Sequence, residues 1–205
     1  MHPPIRAFLF DIGNVLVRFD FGKVYRTIAA HCGVQHNAEI LARVEAVKLM
    51  YEDGQVPRAD FLKETFRCLG YRGTEGDFVA AWQSIFTPNA PMVEVVRQLH
   101  GRYPLYLLSN TNDMHVEGLF RDFDYFRLFK GGTYSHVVQA SKPSARIYEI
   151  ACEAHRLNPA ETLFIDDLGA NIAAARSVGF QTHHYHPDRH DAFLAALHEL
   201  GIAIR

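Results

Sequence analysis

Four short apolar blocks punctuate the chain without alternation: Ala7-Phe8-Leu9-Phe10, Leu105-Tyr106-Leu107-Leu108, Thr162-Leu163-Phe164-Ile165 and the weaker Phe180-Gln181-Thr182-His183. Unbroken runs of this length suit strands buried on both faces of a parallel sheet, where neither face meets water. Between the blocks the apolar period lengthens to that of a helix. Met92, Val95, Val96 and Leu99 fall at i, i+3, i+4 and i+7. Ile147, Ile150, Ala151 and Ala154 follow Pro143, a residue suited to a first helical turn. Residues 170–178 read as a third helix, stopped by Gly179. Alternation of strand and helix predicts an α/β fold on a doubly wound parallel sheet.

Residues 19–89 break that rhythm, with helical periodicity throughout and no strand-like block. Val24, Ile28, Ala29 and Cys32 form one face, closed by Gly33, and Ile40, Leu41, Val44 and Val47 form a second. Phe61, Leu62, Thr65, Phe66 and Leu69 end at Gly70, and Phe78, Val79, Trp82, Ile85 and Phe86 follow Thr74, whose spacing to Asp77 is that of a capping box. The pattern predicts a small all-helical cap over 19–87, hinged near 17–19 and 87–91. Residues 1–18 and 88–205 then form a Rossmann-like core.

Length and charge narrow the function. At 205 residues, 48% of them hydrophobic, the chain has room for one full domain and an insertion. It can bury roughly 70% of its unfolded surface without disulfides or a structural metal. Lys plus Arg number 21 against 23 Asp plus Glu, a net charge of −2, which offers nucleic acid no electrostatic footing. No apolar stretch approaches the ~18 residues of a membrane span. The apolar run ahead of Asp11 is too short for a secretory signal, so the expected location is cytoplasmic. Cys32, Cys68 and Cys152, odd in number and far apart in apolar helical patterns, read as buried free thiols and not as nucleophiles.

In open α/β sheets ligands bind beyond the carboxyl ends of the strands. Those positions hold Asp11-Ile12-Gly13-Asn14, Ser109-Asn110-Thr111-Asn112 and Asp166-Asp167-Leu168-Gly169-Ala170-Asn171, with Ser141-Lys142 ahead of the Pro143 helix. Taken singly, each is ordinary loop or helix-capping chemistry. Taken together they bring three carboxylates, an ammonium and small hydrogen-bonding groups to one edge. Clustered carboxylates repel unless a cation lies among them, and an all-oxygen donor set favours Mg²⁺. Such a site suits phosphoryl transfer, with Asp11 as nucleophile forming an acyl phosphate.

The four segments Phe10-Asp11-Ile12-Gly13-Asn14-Val15-Leu16-Val17, Leu108-Ser109-Asn110-Thr111-Asn112, Lys142-Pro143 and Phe164-Ile165-Asp166-Asp167-Leu168-Gly169-Ala170-Asn171 resemble the four motifs of the haloacid dehalogenase superfamily of Mg²⁺-dependent phosphatases. Within it the chain is similar to the bacterial α-D-glucose-1-phosphate phosphatase group. The resemblance implies Asp11 as nucleophile and metal ligand, Ser109 and the Asn110 amide as phosphoryl donors, and Lys142 as the balancing charge. It also implies Asp167 as a direct ligand, Asp166 acting through water or orienting the other ligands, and the Gly13 carbonyl at the metal. Most superfamily phosphatases carry a second Asp, a general acid, where this chain has Gly13.

General acid catalysis is worth ~10²–10⁴-fold, so a readily departing anomeric oxygen, as in a hexose 1-phosphate, fits a chain without it. Asp20, nine residues beyond Asp11, is a candidate substitute acid, or a cap for the first helix of the insertion. Gly13-Asn14 also reads as a turn needing positive φ. Tyr51, Glu52, Asp53 and Gln55, around Gly54, lie where the resemblance brings a cap loop towards substrate. His183, His184, His186 and His190 lack a carboxylate or cysteine at metal-site spacing and read as a polar loop. The expected activity is hydrolysis of a small phosphate ester, with the oligomeric state left open. The alternatives are a metal-independent 2-haloacid dehalogenase and a non-catalytic binding protein.

Overall fold

A computed structural model describes residues 3–34 and 37–204. In chain order these form β1 (Ala7–Phe10), β2 (Val17–Phe19), α1 (Gly22–Ile28), α2 (Ala38–Glu52), α3 (Arg58–Leu69), α4 (Glu75–Gln83), β3 (Phe86–Pro88), α5 (Ala90–Leu99), β4 (Leu105–Ser109), α6 (Asp113–Asp122), β5 (Gly131–Tyr134), α7 (Ser135–Val138), α8 (Ala145–His155), β6 (Thr162–Asp166), α9 (Gly169–Val178), β7 (Gln181–His184) and α10 (His190–Glu199). Five strands make one parallel sheet in the order β5-β4-β1-β6-β7; the four apolar blocks supply β1, β4, β6 and β7, and β5 is a strand they do not predict. The chain runs outward from β1 through β4 to β5, then crosses back to β6 and β7. The strand order therefore reverses at β1, and the crevice for a ligand opens there.

The period of two along each strand divides the core between the faces of the sheet. Phe8, Phe10, Leu105, Leu107, Leu163 and Ile165 pack with α5, α6 and α10. Leu9, Leu108 and Phe164 pack instead against Ile147, Tyr148 and Ala151 of α8 and Ile172 and Ala175 of α9. Removing one such side chain, as in Phe164→Ala, carries a cavity cost of about 3–5 kcal/mol.

Helices α1 to α4 surround a separate apolar cluster centred on Phe61, Phe78 and Trp82. Thr74 caps α4 as the spacing predicts, its Oγ1 accepting from the Asp77 amide at 3.1 Å, and α3 ends at Gly70 with φ +56°. The first helix is shorter than expected. α1 stops at Ile28, and a 3₁₀ turn carries the chain to Cys32. Residues 19–89 are also not helical throughout, since Phe86–Pro88 pairs antiparallel with Val17–Phe19. Three-residue strands are too short to show a period, and they form because the outgoing and returning chains run side by side. Asn89 secures the junction, donating through Nδ2 to the Val15 carbonyl at 2.7 Å and the Tyr185 hydroxyl at 2.9 Å.

Three further expectations are corrected. Pro143 lies in the turn before α8, and Ser144 caps that helix through the Arg146 amide. The cysteines are free but only partly buried, and burial raises each thiol above its usual range. The histidines are not one loop, since His183 and His184 belong to β7 and His190 opens α10. Among the described residues no helix is long and apolar enough to cross a membrane.

Candidate active site

Asp11 follows the last residue of β1, its amide held by the Ile165 carbonyl at 2.9 Å, and its buried carboxylate faces Lys142. Lys142 Nζ lies 2.7 Å from Asp11 Oδ1 and 2.7 Å from Asp166 Oδ2, and donates to the Leu108 carbonyl at 3.1 Å. One ammonium thus ties the ends of β1, β4 and β6 together. Asn110 holds the lysine in place: its side chain donates to the Lys142 carbonyl at 2.9 Å and accepts from the Lys142 amide at 2.8 Å. Burial pulls the Lys142 ammonium down, but Asp11 and Asp166 outweigh it, and the net direction is up.

Burial raises the Asp11 carboxyl, Lys142 opposes, and the charge of Asp166 adds to the rise. Asp167, half-buried, is also raised, first by burial and partly offset by Asn14, whose Nδ2 donates to its Oδ2 at 2.9 Å. Carboxylate oxygens of Asp11, Asp166 and Asp167 all lie within 4.8 Å of one another. Three carboxylates against one ammonium leave two formal negative charges, and the donors are all oxygen. This set fits a hard divalent cation such as Mg²⁺.

The donors are not equally free. Asp166, fully buried, accepts from Lys142, from the Leu168 amide at 2.8 Å and from Asn171 Nδ2 at 3.0 Å on both oxygens. Asp167 accepts from the Asn14 side chain, and Asn14 itself carries φ +52°. The positive φ expected of the Gly13-Asn14 turn thus falls on Asn14. A Cβ at Gly13 would lie 3.0 Å from Cε1 of the exposed Phe19 ring.

Asp20 does not reach this cluster. It is exposed and paired with Arg26 Nη2 at 2.5 Å. Arg26 and the amides of Gly22 and Lys23 hold its carboxyl below the usual range. It serves the start of α1 and is a poor proton donor, so the substitute-acid expectation is corrected.

A cavity of about 360 Å³ opens beside the cluster, lined by Gly13, Ser109, Asn110 and Thr111 from the sheet edge and by Glu45, Lys48 and Glu52 from α2. Phe19, Phe21, Phe86 and Leu119 supply its apolar part. Of the candidate loop residues, Tyr51 and Asp53 bond instead to Asp113 and Ser141. Gln139 Nε2 donates to the Gly54 carbonyl at 3.1 Å. These contacts dock α2 on the sheet edge and leave Glu52 on the cavity.

Burial raises the Glu52 carboxyl to about 7, against the pull of Lys48. Lys48 is itself paired with Glu45 at 2.8 Å and lies 4.3 Å above the Phe21 ring. Sequence reasoning missed His115, buried and stacked 5.3 Å from Trp82, whose imidazole burial lowers to about 3. It missed Ser135 as well, which receives the Thr111 amide at 2.9 Å and contacts the Glu52 carbonyl. Neither lies in a motif, and only the fold brings them here.

Comparison with known proteins agrees with this geometry. The chain is 25% identical over 191 residues to a D-ribitol-5-phosphate phosphatase of Bacteroides thetaiotaomicron, covering 87% of this chain and 90% of that protein. It is 24% identical over 201 residues to an (S)-2-haloacid dehalogenase of Burkholderia cepacia, covering 87% and 81%. A haloacid dehalogenase family enzyme of Bacteroides thetaiotaomicron, solved with magnesium and inorganic phosphate, superposes with a TM-score of 0.77 at 26% identity, over 87% of this chain and 93% of that one. With residues 5–179 matching the family model for haloacid dehalogenase-like hydrolases, this chain belongs to that family.

Proposed function

We propose that this hydrolase is a Mg²⁺-dependent phosphomonoesterase that cleaves the phosphate ester of a small sugar or sugar alcohol through an aspartyl phosphate on Asp11. The observation that carries the reading is the cluster of Asp11, Lys142, Asp166 and Asp167 at the strand-order reversal, next to a cavity lined by the motif residues Gly13, Ser109 and Asn110. Helices α1 to α4 serve as the cap over this cavity. The similarity to a D-ribitol-5-phosphate phosphatase supports a polyol phosphate alongside the hexose 1-phosphates.

Asp11 attacks phosphorus with one carboxylate oxygen, and the ester oxygen departs in line with it. Ser109 and the Asn110 amide bind the phosphoryl oxygens, and Lys142 adds its charge to theirs. Asp11, Asp167 and the Gly13 carbonyl would hold Mg²⁺, which neutralises phosphoryl charge when bound. Asp166, whose oxygens are already hydrogen-bonded, acts as a positioning residue for Lys142 and the loop that carries Asp167.

The test is phosphate release from glucose 1-phosphate, glucose 6-phosphate, ribitol 5-phosphate and p-nitrophenyl phosphate, with Mg²⁺ or EDTA. Turnover that needs Mg²⁺ and falls at least about 10³-fold in Asp11→Asn is expected. Silence on all four esters, or turnover indifferent to EDTA, overturns the reading. Halide release from 2-chloropropionate in EDTA would establish the dehalogenase instead, and phosphate binding without product would leave a binding protein. Metal-free dehalogenase chemistry gains little from two further carboxylates beside Asp11.

A further inference from the structure

We infer that Glu52, the last residue of α2, is the general acid that protonates the leaving oxygen. This rests on the phosphatase reading above and supplies a group that the first motif, with Gly13, does not. An alkoxide leaving from phosphorus needs a proton, and the donor has to face the cavity that holds the departing group. The titratable side chains there are Glu45, Lys48, Glu52 and His115.

Three of the four are unsuited. Glu45 is committed to its ion pair with Lys48 at 2.8 Å. Lys48 is bound in that pair and over the Phe21 ring. His115 accepts at Nδ1 from Asn112 Nδ2, whose Oδ1 is fixed by the His115 amide at 3.0 Å, so the ring is neutral. Outside the cavity, Asp20 is turned away on Arg26.

Glu52 is placed for the task. Its backbone is anchored, the carbonyl contacting the Ser135 hydroxyl, and the flanking Tyr51 and Asp53 bond to the sheet edge. Among the described residues its Oε1 takes one long contact, from Asn112 Nδ2 at 3.5 Å. The charged groups around it are Lys48, Glu45 and Asp53. Burial outweighs Lys48 and leaves the carboxyl protonated into the neutral range, the state an acid needs.

The step balances. As Asp11 forms its bond to phosphorus, the bond from phosphorus to the ester oxygen breaks and leaves its electron pair on that oxygen. The Glu52 proton moves to it, and the alcohol departs. Glu52 is left as a carboxylate and regains its proton from water after the aspartyl phosphate is hydrolysed.

The experiment compares wild type with Glu52→Gln on ribitol 5-phosphate and p-nitrophenyl phosphate across pH 5–9. p-Nitrophenolate leaves without a proton, so its ester reads nucleophile and metal alone. The expected result is a fall in kcat of about 10²-fold or more on the alkyl ester and a much smaller fall on the aryl one. Wild type should lose alkyl turnover above a limb near pH 7, and the variant should lack that limb. Equal losses on both esters, or an unchanged limb in the variant, overturn the inference. Should wild type hydrolyse neither ester, the phosphatase reading itself fails and takes this inference with it. Circular dichroism melting of Glu52→Gln separates misfolding from lost chemistry, and Glu52→Asp restoring part of the alkyl rate would support an acid over a packing role.

Discussion

Asn14 holds a left-handed backbone at φ +52° and uses that geometry to aim its amide at Asp167. Asparagine tolerates this region better than most residues, and alanine does not. Asn14→Ala therefore loses a hydrogen bond to a metal-ligand candidate and gains strain. The Mg²⁺ concentration giving half-maximal turnover should rise about tenfold or more, read from a Mg²⁺ titration of initial rates. Glu52 has a consequence for stability as well as chemistry. Its carboxyl lies at about 7 in the fold, above the usual 4.5, so the folded state favours the proton. That contribution is full below pH 4.5 and is lost as pH rises through 7. In metal-free protein, Glu52→Gln should melt above wild type at pH 8, with the gap shrinking as pH falls towards 4.5.

The loop between α2 and α3 reaches the sheet edge through Gly54, whose φ of +68° and nearness to His136 both demand glycine. A Cβ at this position would lie 2.4 Å from the His136 carbonyl oxygen. Gly54→Ala pushes α2 off the core and should lower kcat/KM at least about tenfold while far-ultraviolet dichroism is preserved. The contacts of this loop with Ser135, Gln139 and Ser141 were not legible in the chain, because they join segments more than 80 residues apart. What was legible is what periodicity and burial write together: Phe8 to Phe10, Leu105 to Leu108 and Thr162 to Ile165 are apolar because both faces of their strands are covered.

β5 escaped notice because it is an edge strand opening with Gly131-Gly132, which carry no apolar side chains to mark it. A Cβ on Gly132 would lie 2.5 Å from the Tyr134 ring. α6 was hidden by mixed duties, with Asn112 capping it through the His115 amide, while Met114 turns into the apolar cluster of α1 to α4. The site residues stood out by their place at strand ends. Their partners Asn14 and Asn171 sat inside the motifs, but nothing in the letters said which carboxylate each would hold.

The charge balance of the site links metal to the stability of the entire chain. Asp11, Asp166 and Asp167 lie close together, and among the described residues the cation paired with Asp11 and Asp166 is Lys142. A ligand that binds only the folded state stabilises it by about 2.7 kcal/mol at a hundred times its Kd. Millimolar Mg²⁺ should raise the melting temperature by several degrees, and Asp167→Asn should abolish most of that increment. The two apolar bodies also meet, since Phe86 packs against both clusters and Gln83 Nε2 donates to the Met114 carbonyl at 2.9 Å.

The pairing of Phe19 with Phe86 across β2 and β3 makes the intervening segment a module with a single port. Its two ends are neighbours in an antiparallel ladder, about 5 Å apart, so excising residues 20–85 leaves a gap that a two-residue Asn-Gly turn can bridge. Asp11, Lys142, Asp166 and Asp167 all stay behind at the sheet edge. On the proposed function, a graft at that port exchanges the roof of the cavity together with Glu52, so a new roof has to bring its own acid.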